Sequence, residues 1–168
     1  YNIVWNDSVG TEFKFIGGTE RKLHITMTNS IKTLDFNELL NNYLFIPPPG
    51  KPFKGTIVIS KAWAREDISI FKSLLGPIKQ IDGSVILSDF SITSDNKRFD
   101  VFDELRKVYD INISEITDVH SIEFPNLSEV TKSIQIIGGS GTGLKDKDKD
   151  KDNDNPALNF GSLKTIGE

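Results

Sequence analysis

The sequence predicts an α/β solenoid: a parallel β-sheet of short strands joined by irregular turns and short helices, closed at its N-terminal end by a capping hairpin. Three observations predict it. A Phe-x-x-Leu skeleton, extended to Phe-x-x-Leu-x-x-Val or Ile in the later copies, recurs along the chain. Short runs of alternating apolar and polar residues follow most copies, as strands with one buried face require. The spacing between these runs is about 22 to 28 residues, too short in its later turns for a full β-α-β crossover.

Size and composition bound the reading. With 168 residues the chain fits one domain able to bury a core without cross-links. The net charge of -4 gives no reason to expect nucleic acid. No apolar run approaches the roughly 20 residues of a membrane helix, and no leader-like segment opens the chain. The first residue is Tyr1 rather than Met, which reads as a mature or excised piece. The absence of cysteine excludes disulfides, thiolate metal sites and cysteine nucleophiles, and two histidines argue against a multi-histidine metal centre.

Taken in order, residues 1–22 hold Trp5, Phe13 and Phe15 among polar residues, with turn signals at Val9-Gly10 and Gly17-Gly18. They read as the cap, which covers the first open edge. Residues 23–168 read as the solenoid, beginning with the strand Leu23–Met27. The most degenerate copy of the skeleton, Phe36-Asn-Glu-Leu39, leads to the strand Thr56–Ile59 across an insertion at 45–53, where Pro47-Pro48-Pro49 favours an extended strap. Phe71-Lys-Ser-Leu74 leads to Ser84–Leu87. Phe102-Asp-Glu-Leu105-Arg-Lys-Val108 leads to Ile111-Asn112-Ile113, although Phe99–Val108 also carries helical spacing over two to three turns. Phe124-Pro-Asn-Leu127-Ser-Glu-Val130 leads to Ile134–Ile137, and after a second insertion at 138–155 the chain returns as Phe160-Gly-Ser-Leu163-Lys-Thr-Ile166. The pattern calls for another strand after Gly167, so the natural chain is expected to continue. A compact α/β domain with helices at 71–75 and 102–109 is the rival fold. It fits less well, because about 20 residues interrupted by Pro125 separate Ile113 from Ile134.

The stretches "LLGPIKQIDGSVIL", "FPNLSEVTKSIQI" and "FGSLKTIGE" resemble receptor L-domain-like leucine-rich repeats, similar to those of bacterial surface proteins of the Bacteroides type and of fungal wall proteins. The likeness covers roughly residues 54–168. It implies a leucine-rich-repeat-like sheet and an extracellular or cell-surface location, as a bacterial lipoprotein or secreted protein. The cysteine-rich caps of animal receptor L domains are absent, which turns the likeness toward microbial proteins.

Candidate sites are few. Asp146, Asp148, Asp150, Asp152 and Asp154 alternate with lysines in the second insertion. Asp148, Asp150, Asp152 and Asp154 resemble the oxygen-rich start of a calcium loop, but counting from Asp148, Asn153 and Asn159 stand where glycine and a bidentate glutamate belong. A solvated low-complexity loop is the plainer reading. Gly138–Gly143 lacks the Lys-Ser/Thr of a phosphate loop, and neither His24 nor His120 belongs to a nucleophile motif. Asn6, Asn112 and Asn126 head N-glycosylation acceptor triplets, which carry no meaning in a bacterial protein. The outward strand positions Thr26, Thr56, Val58, Ser84, Ile86, Asn112 and Gln135 are the candidate binding surface. The expected function is non-enzymatic adhesion or recognition of a protein or glycan, with no cofactor. The alternatives are a carbohydrate-active enzyme with paired carboxylates, or a structural spacer of a longer surface protein.

Overall fold

The computed structural model describes residues 2–4, 10–27, 30–37, 44–46, 51–93, 95–137 and 157–167. Its strands are β1 (Asn2–Val4), β2 (Glu12–Ile16), β3 (Lys22–Met27), β4 (Ser30–Asp35), β5 (Leu44–Ile46), β6 (Thr56–Trp63), β7 (Gln80–Ile92), β8 (Arg98–Phe99), β9 (Lys107–Thr117), β10 (Ser121–Glu123), β11 (Glu129–Ile137), β12 (Ala157–Asn159) and β13 (Thr165–Ile166). Among the described residues there is one helix, α1, Arg65–Leu75. Eight strands form one sheet in the order β13-β11-β9-β7-β6-β2-β3-β4. A parallel three-stranded sheet, β12-β10-β8, and a parallel pair, β1-β5, complete the set.

The large sheet is mixed. From β2 through β6, β7, β9 and β11 to β13 every neighbour is parallel. On the far side of β2, β3 and β4 follow as an antiparallel meander. Alternation on these β-branched strands sends Phe13, Phe15, Ile57, Ile59, Val85 and Leu87 into the core. That core also takes α1, through Ile68, Phe71, Leu74 and Leu75.

The phenylalanines that open each skeleton share this interior. Phe36, Phe71, Phe102 and Phe124 have no exposed surface, and Phe160 packs against the same core. Phe124 lies between Phe102 and Phe160, with centroids 5.8 and 5.5 Å away and interplanar angles of 11° and 2°. Phe15, Phe36 and Trp63 surround Phe71 in tilted and edge-on pairs. What joins one copy to the next is backbone. Lys79 O accepts from the N–H groups of Arg106 and Lys107, Arg106 O from Ser128 and Glu129, and Ser128 O from Lys164 and Thr165. The skeletons that begin at Phe102, Phe124 and Phe160 are thus each held against the previous one by the same pair of hydrogen bonds.

The expected α/β solenoid with its capping hairpin is not the observed fold. The chain is mostly strand, with a mixed eight-stranded sheet and a single helix among the described residues. Leu23–Met27, expected to open a parallel series, lies in β3 and runs antiparallel to both neighbours. The hairpin joins β2 to β3 around Gly17 and Gly18 and is part of the sheet, with β2 inserted between β3 and β6. Phe13 and Phe15, assigned to a cap, are buried core residues.

Phe99–Val108, whose spacing also suits a helix, is strand at its two ends and irregular between them. The reason is that its polar groups find partners outside the segment. Asp100 is held by Arg65, and the N–H groups of Glu104, Arg106 and Lys107 are taken by Gly76 O and Lys79 O. At the first insertion, Phe53 is buried and exchanges hydrogen bonds with Gln80 and Asp82, while 47–50 lie outside the described residues.

The strands are also longer than the alternation suggested, because left-handed residues reset its phase. Lys61, Asp89 and Glu115 have φ of 71°, 51° and 53°. Asp89 and Glu115 are each passed over in the register, so Phe90 and Ile116 turn inward where strict alternation would turn them out. A second shift lies at Gly83, where an added Cβ would meet Gly55 O at 2.0 Å. Only glycine lets the two backbones approach so closely.

Replacing Phe124 by alanine removes the middle ring of the stacked column and should lower the unfolding free energy by about 3–5 kcal/mol, read from urea denaturation. The exposed Thr33→Ala change should stay within about 0.5 kcal/mol of the parent.

Candidate functional site

The parallel registers bring outward-facing residues of neighbouring strands into rows. Ser84, Asp110 and Ser133 are matched across β7, β9 and β11; Thr56, one residue before the first β6–β7 pair, Ile57 with Val85, brings β6 into the row, and Glu12 and Thr26 continue it onto β2 and β3. The next row is Val58, Ile86, Asn112 and Gln135, continued by Lys14 and His24. The third is Ser60, Ser88, Ser114 and Ile137, of which Ser60 is buried. All seven positions nominated from the sequence lie on this face, in the first two rows.

The strip over β6, β7, β9 and β11 is built from short side chains. Of its twelve positions in three rows, Asp110 alone is a charged residue. Neighbouring strands stand about 4.8 Å apart and alternate residues about 6.6 Å along each strand, which spaces the hydroxyl and amide groups as a regular grid. Asn112 Nδ2 donates to Gln135 Oε1 at 3.4 Å, linking two grid points. Val58 is buried at 6% exposure and Ile86 is half-buried, so the apolar centre of the strip is sheltered by its polar rows. At its head, Tyr109 is 42% exposed, with the Lys132 ammonium 5.9 Å from its ring centroid. Beside it, Asp110 Oδ1 is buried without a hydrogen-bond partner. That oxygen is a local electrostatic deficit, since a buried acceptor costs free energy until a donor answers it.

The charged residues gather elsewhere, at the junction of α1 with β8 and β10. Asp100, its side chain 7% exposed, receives Arg65 at 3.0 and 3.2 Å, with Lys72 and Arg98 each at 3.8 Å. Arg98 also forks onto Glu123 at 2.9 and 3.0 Å, and Ser121 Oγ donates to the same carboxylate at 2.8 Å. The Arg98 hydrogen bond holds the Glu123 carboxyl below its ordinary range, against the opposing effect of burial. On the other side of the helix, Arg21 donates to Asp67 at 2.7 Å and to Asn37 at 2.8 Å, its guanidinium over the Phe36 ring. A shallow open depression lies there, lined by Gly18, Arg21, Ala62, Glu66, Asp67 and Thr93. These charges answer one another and fasten the helix to the sheets. They are structural clasps.

Other sequence candidates are dispersed. His24 is on the outward face, 2.9 Å from Thr33 Oγ1, whereas His120 is exposed in a turn. Asp146, Asp148, Asp150, Asp152 and Asp154 lie outside the described residues. Among the described residues no three His, Asp or Glu side chains gather to hold a metal. Asn126 Nδ2 donates to Asp103 O, so this acceptor-triplet residue serves a turn.

Reading the sequence missed Tyr109, Asp110 and the serine row. The signal was present as Ser60-Lys61, Ser88-Asp89 and Ser114-Glu115, where a serine and a charged residue interrupt an alternating run at matching places. Comparison with protein-family models, curated proteins and solved structures finds no match. No helix of the described chain is long and apolar enough to cross a membrane.

Because the folded-state pKa of Glu123 is depressed, its contribution to stability is present above about pH 4.3, the unfolded value, and is lost as the pH falls through the lowered one. Glu123→Gln should therefore lower stability by about 0.5–1 kcal/mol at pH 7, with the gap closing as acid protonates the carboxyl below its ordinary range. Paired urea titrations at pH 7 and in acid below that range check it.

Proposed function

We propose that this chain is a non-enzymatic recognition module, at a cell surface or secreted, that binds a glycan across the outer strip of its sheet. The observation that carries the reading is the grid itself: three rows of short side chains on four adjacent parallel strands, with Asp110 the one charge. Hydroxyls and amides both donate and accept, which suits a neutral polyhydroxylated chain. Short side chains on a hydrogen-bonded ladder lose little rotational freedom when a ligand orders them. The half-exposed Tyr109 ring offers an apolar platform at one end of the grid.

A hydrolase reading calls for two carboxylates about 5 to 10 Å apart across a groove. The strip is open and holds Asp110 by itself, which favours binding over bond cleavage. A protein ligand fits the strip less well, since interfaces between proteins draw their energy from large anchors such as Trp and Arg.

The test is a glycan array followed by calorimetry on the 168-residue chain, with release of reducing sugar measured in parallel. The expected result is binding without release, weakened about tenfold or more by Asn112→Arg and unchanged by Thr33→Arg on β4. Binding that Asn112→Arg leaves intact would move the site elsewhere. Loss of polymer would make the chain an enzyme, and an array without hits would favour the spacer.

A further inference from the structure

The outer strip is bordered on two sides, and both borders run across the strands. On one side, Phe53, Ile81, Val108 and Val130 form a matched, buried row. Between that row and the first polar row the register shifts on β7 and β11, and the longer residues Lys54, Asp82, Tyr109 and Lys132 stand exposed. On the other side the left-handed residues Lys61, Asp89 and Glu115 are exposed, with Lys61 Nζ on Asp89 at 2.8 Å. Each border repeats from strand to strand because neighbouring strands bend at matched places. Between the borders, all nine positions of the three rows on β6, β7 and β9 are buried or half-buried.

The strip is thus a shallow trough whose axis crosses the strands. Its width is three rows, two steps along a strand, or about 13 Å. No such border crosses its length. From β6 the register runs unshifted onto β2, with Glu12 beside Thr56 and Ile16 beside Ser60, and β3 follows β2. From β11 to β3 the rows therefore span five strand spacings, about 24 Å. Charge divides in the same way: it lines the borders on β6, β7, β9 and β11, while the floor there carries Asp110 alone.

We infer that the ligand is a linear, unbranched pyranose polymer in an extended conformation, lying across the strands rather than along one; this rests on the glycan reading above. A sugar chain linked through opposite positions of each ring advances by roughly one strand spacing, about 4.8 Å, per residue. Successive rings then meet successive strands, and hydroxyl and amide partners recur at each step. The exposed Tyr109 ring flanks this path from one border. A branch would meet the border charges and strip water from them, which opposes it. A coiled chain falls out of step with the strands after a ring or two. Along a strand, a ligand would meet a border after two steps in either direction.

Calorimetry with β-1,4-linked oligomers of glucose and of N-acetylglucosamine, two to six residues long, tests the inference. Coiled α-1,4-linked glucose oligomers and a branched xyloglucan oligomer are run alongside. The expected result is a β-1,4 series whose affinity rises about tenfold or more between three and five residues, with the coiled and branched oligomers at least about tenfold weaker. Thr56→Arg on β6, with an unchanged circular dichroism spectrum, should abolish that gain and leave the trimer within about twofold, since the trimer still has β7, β9 and β11. Affinity that levels off by three residues, or equal binding of coiled or branched oligomers, overturns the inference and leaves the glycan reading standing. So does a silent β-1,4 series beside array hits on other linkages. Silence of array and oligomers together overturns both.

Discussion

Backbone carbonyls at the turns set the geometry on which the rest depends. Lys79, Arg106 and Ser128 each accept two N–H groups from the following copy, so the skeletons at Phe102, Phe124 and Phe160 are each fixed one strand spacing from the previous one. That constraint forces neighbouring phenylalanines into contact, which the near-parallel rings of Phe102, Phe124 and Phe160 display. It also fixes the parallel register of β7, β9 and β11, because the strands leave the turns already aligned. The interior benefits from large apolar burial and the exterior becomes a grid, both from the same few hydrogen bonds.

Two local devices adapt this arrangement to one helix and an antiparallel end. At the helix, Asp67 accepts from Ala64 N–H and from Arg21, while Asp100 gathers Arg65, Lys72 and Arg98. Buried carboxylates of this kind are stable only because cations surround them, and truncating one partner would leave the other exposed to the desolvation penalty. At the strand bends, Lys61 and Asp89, both left-handed, join by a 2.8 Å ion pair outside the core. The hydrogen bond to Asp89 raises the Lys61 pKa, so the ammonium stays charged across the physiological range. The strain of the left-handed residues is offset by what the phase change buries, namely Phe90, Ile92 and Ile116.

The sequence disclosed local features well and global ones poorly. Alternation located Thr56–Ile59, Ser84–Leu87, Ile111–Ile113 and Ile134–Ile137 inside real strands, and the recurring phenylalanines did mark the core. The fold class failed because periodicity is blind to strand direction. Leu23–Met27 alternates like the others, and its antiparallel course follows from the hairpin at Gly17-Gly18, which was assigned to a cap instead. Phe99–Val108 looked helical because apolar spacing says nothing about a distant Arg65 or the carbonyl of Lys79. The outward face was partly legible, since alternation gives two faces once one is known to be buried. Tyr109 and Asp110 were not, because they sit where the register shifts and the parity rule breaks.

The same logic connects the grid to the open edge. A sheet whose strands are added in register has an end wherever pairing stops, and the physical question at each end is how the last apolar row is covered. At β4 the answer is Lys32 and a largely exposed strand, while Leu34, two residues on and on the same side, is already buried. At β11 the core-facing row continues as Ile134 and Ile136, beside which no strand lies on the outer flank among the described residues, and Ile136 is 40% exposed. The edge at β4 sets a charge beside its inner row, whereas at β11 the inner row runs on as uncharged isoleucines, so the two sides of one sheet are finished by different chemistry.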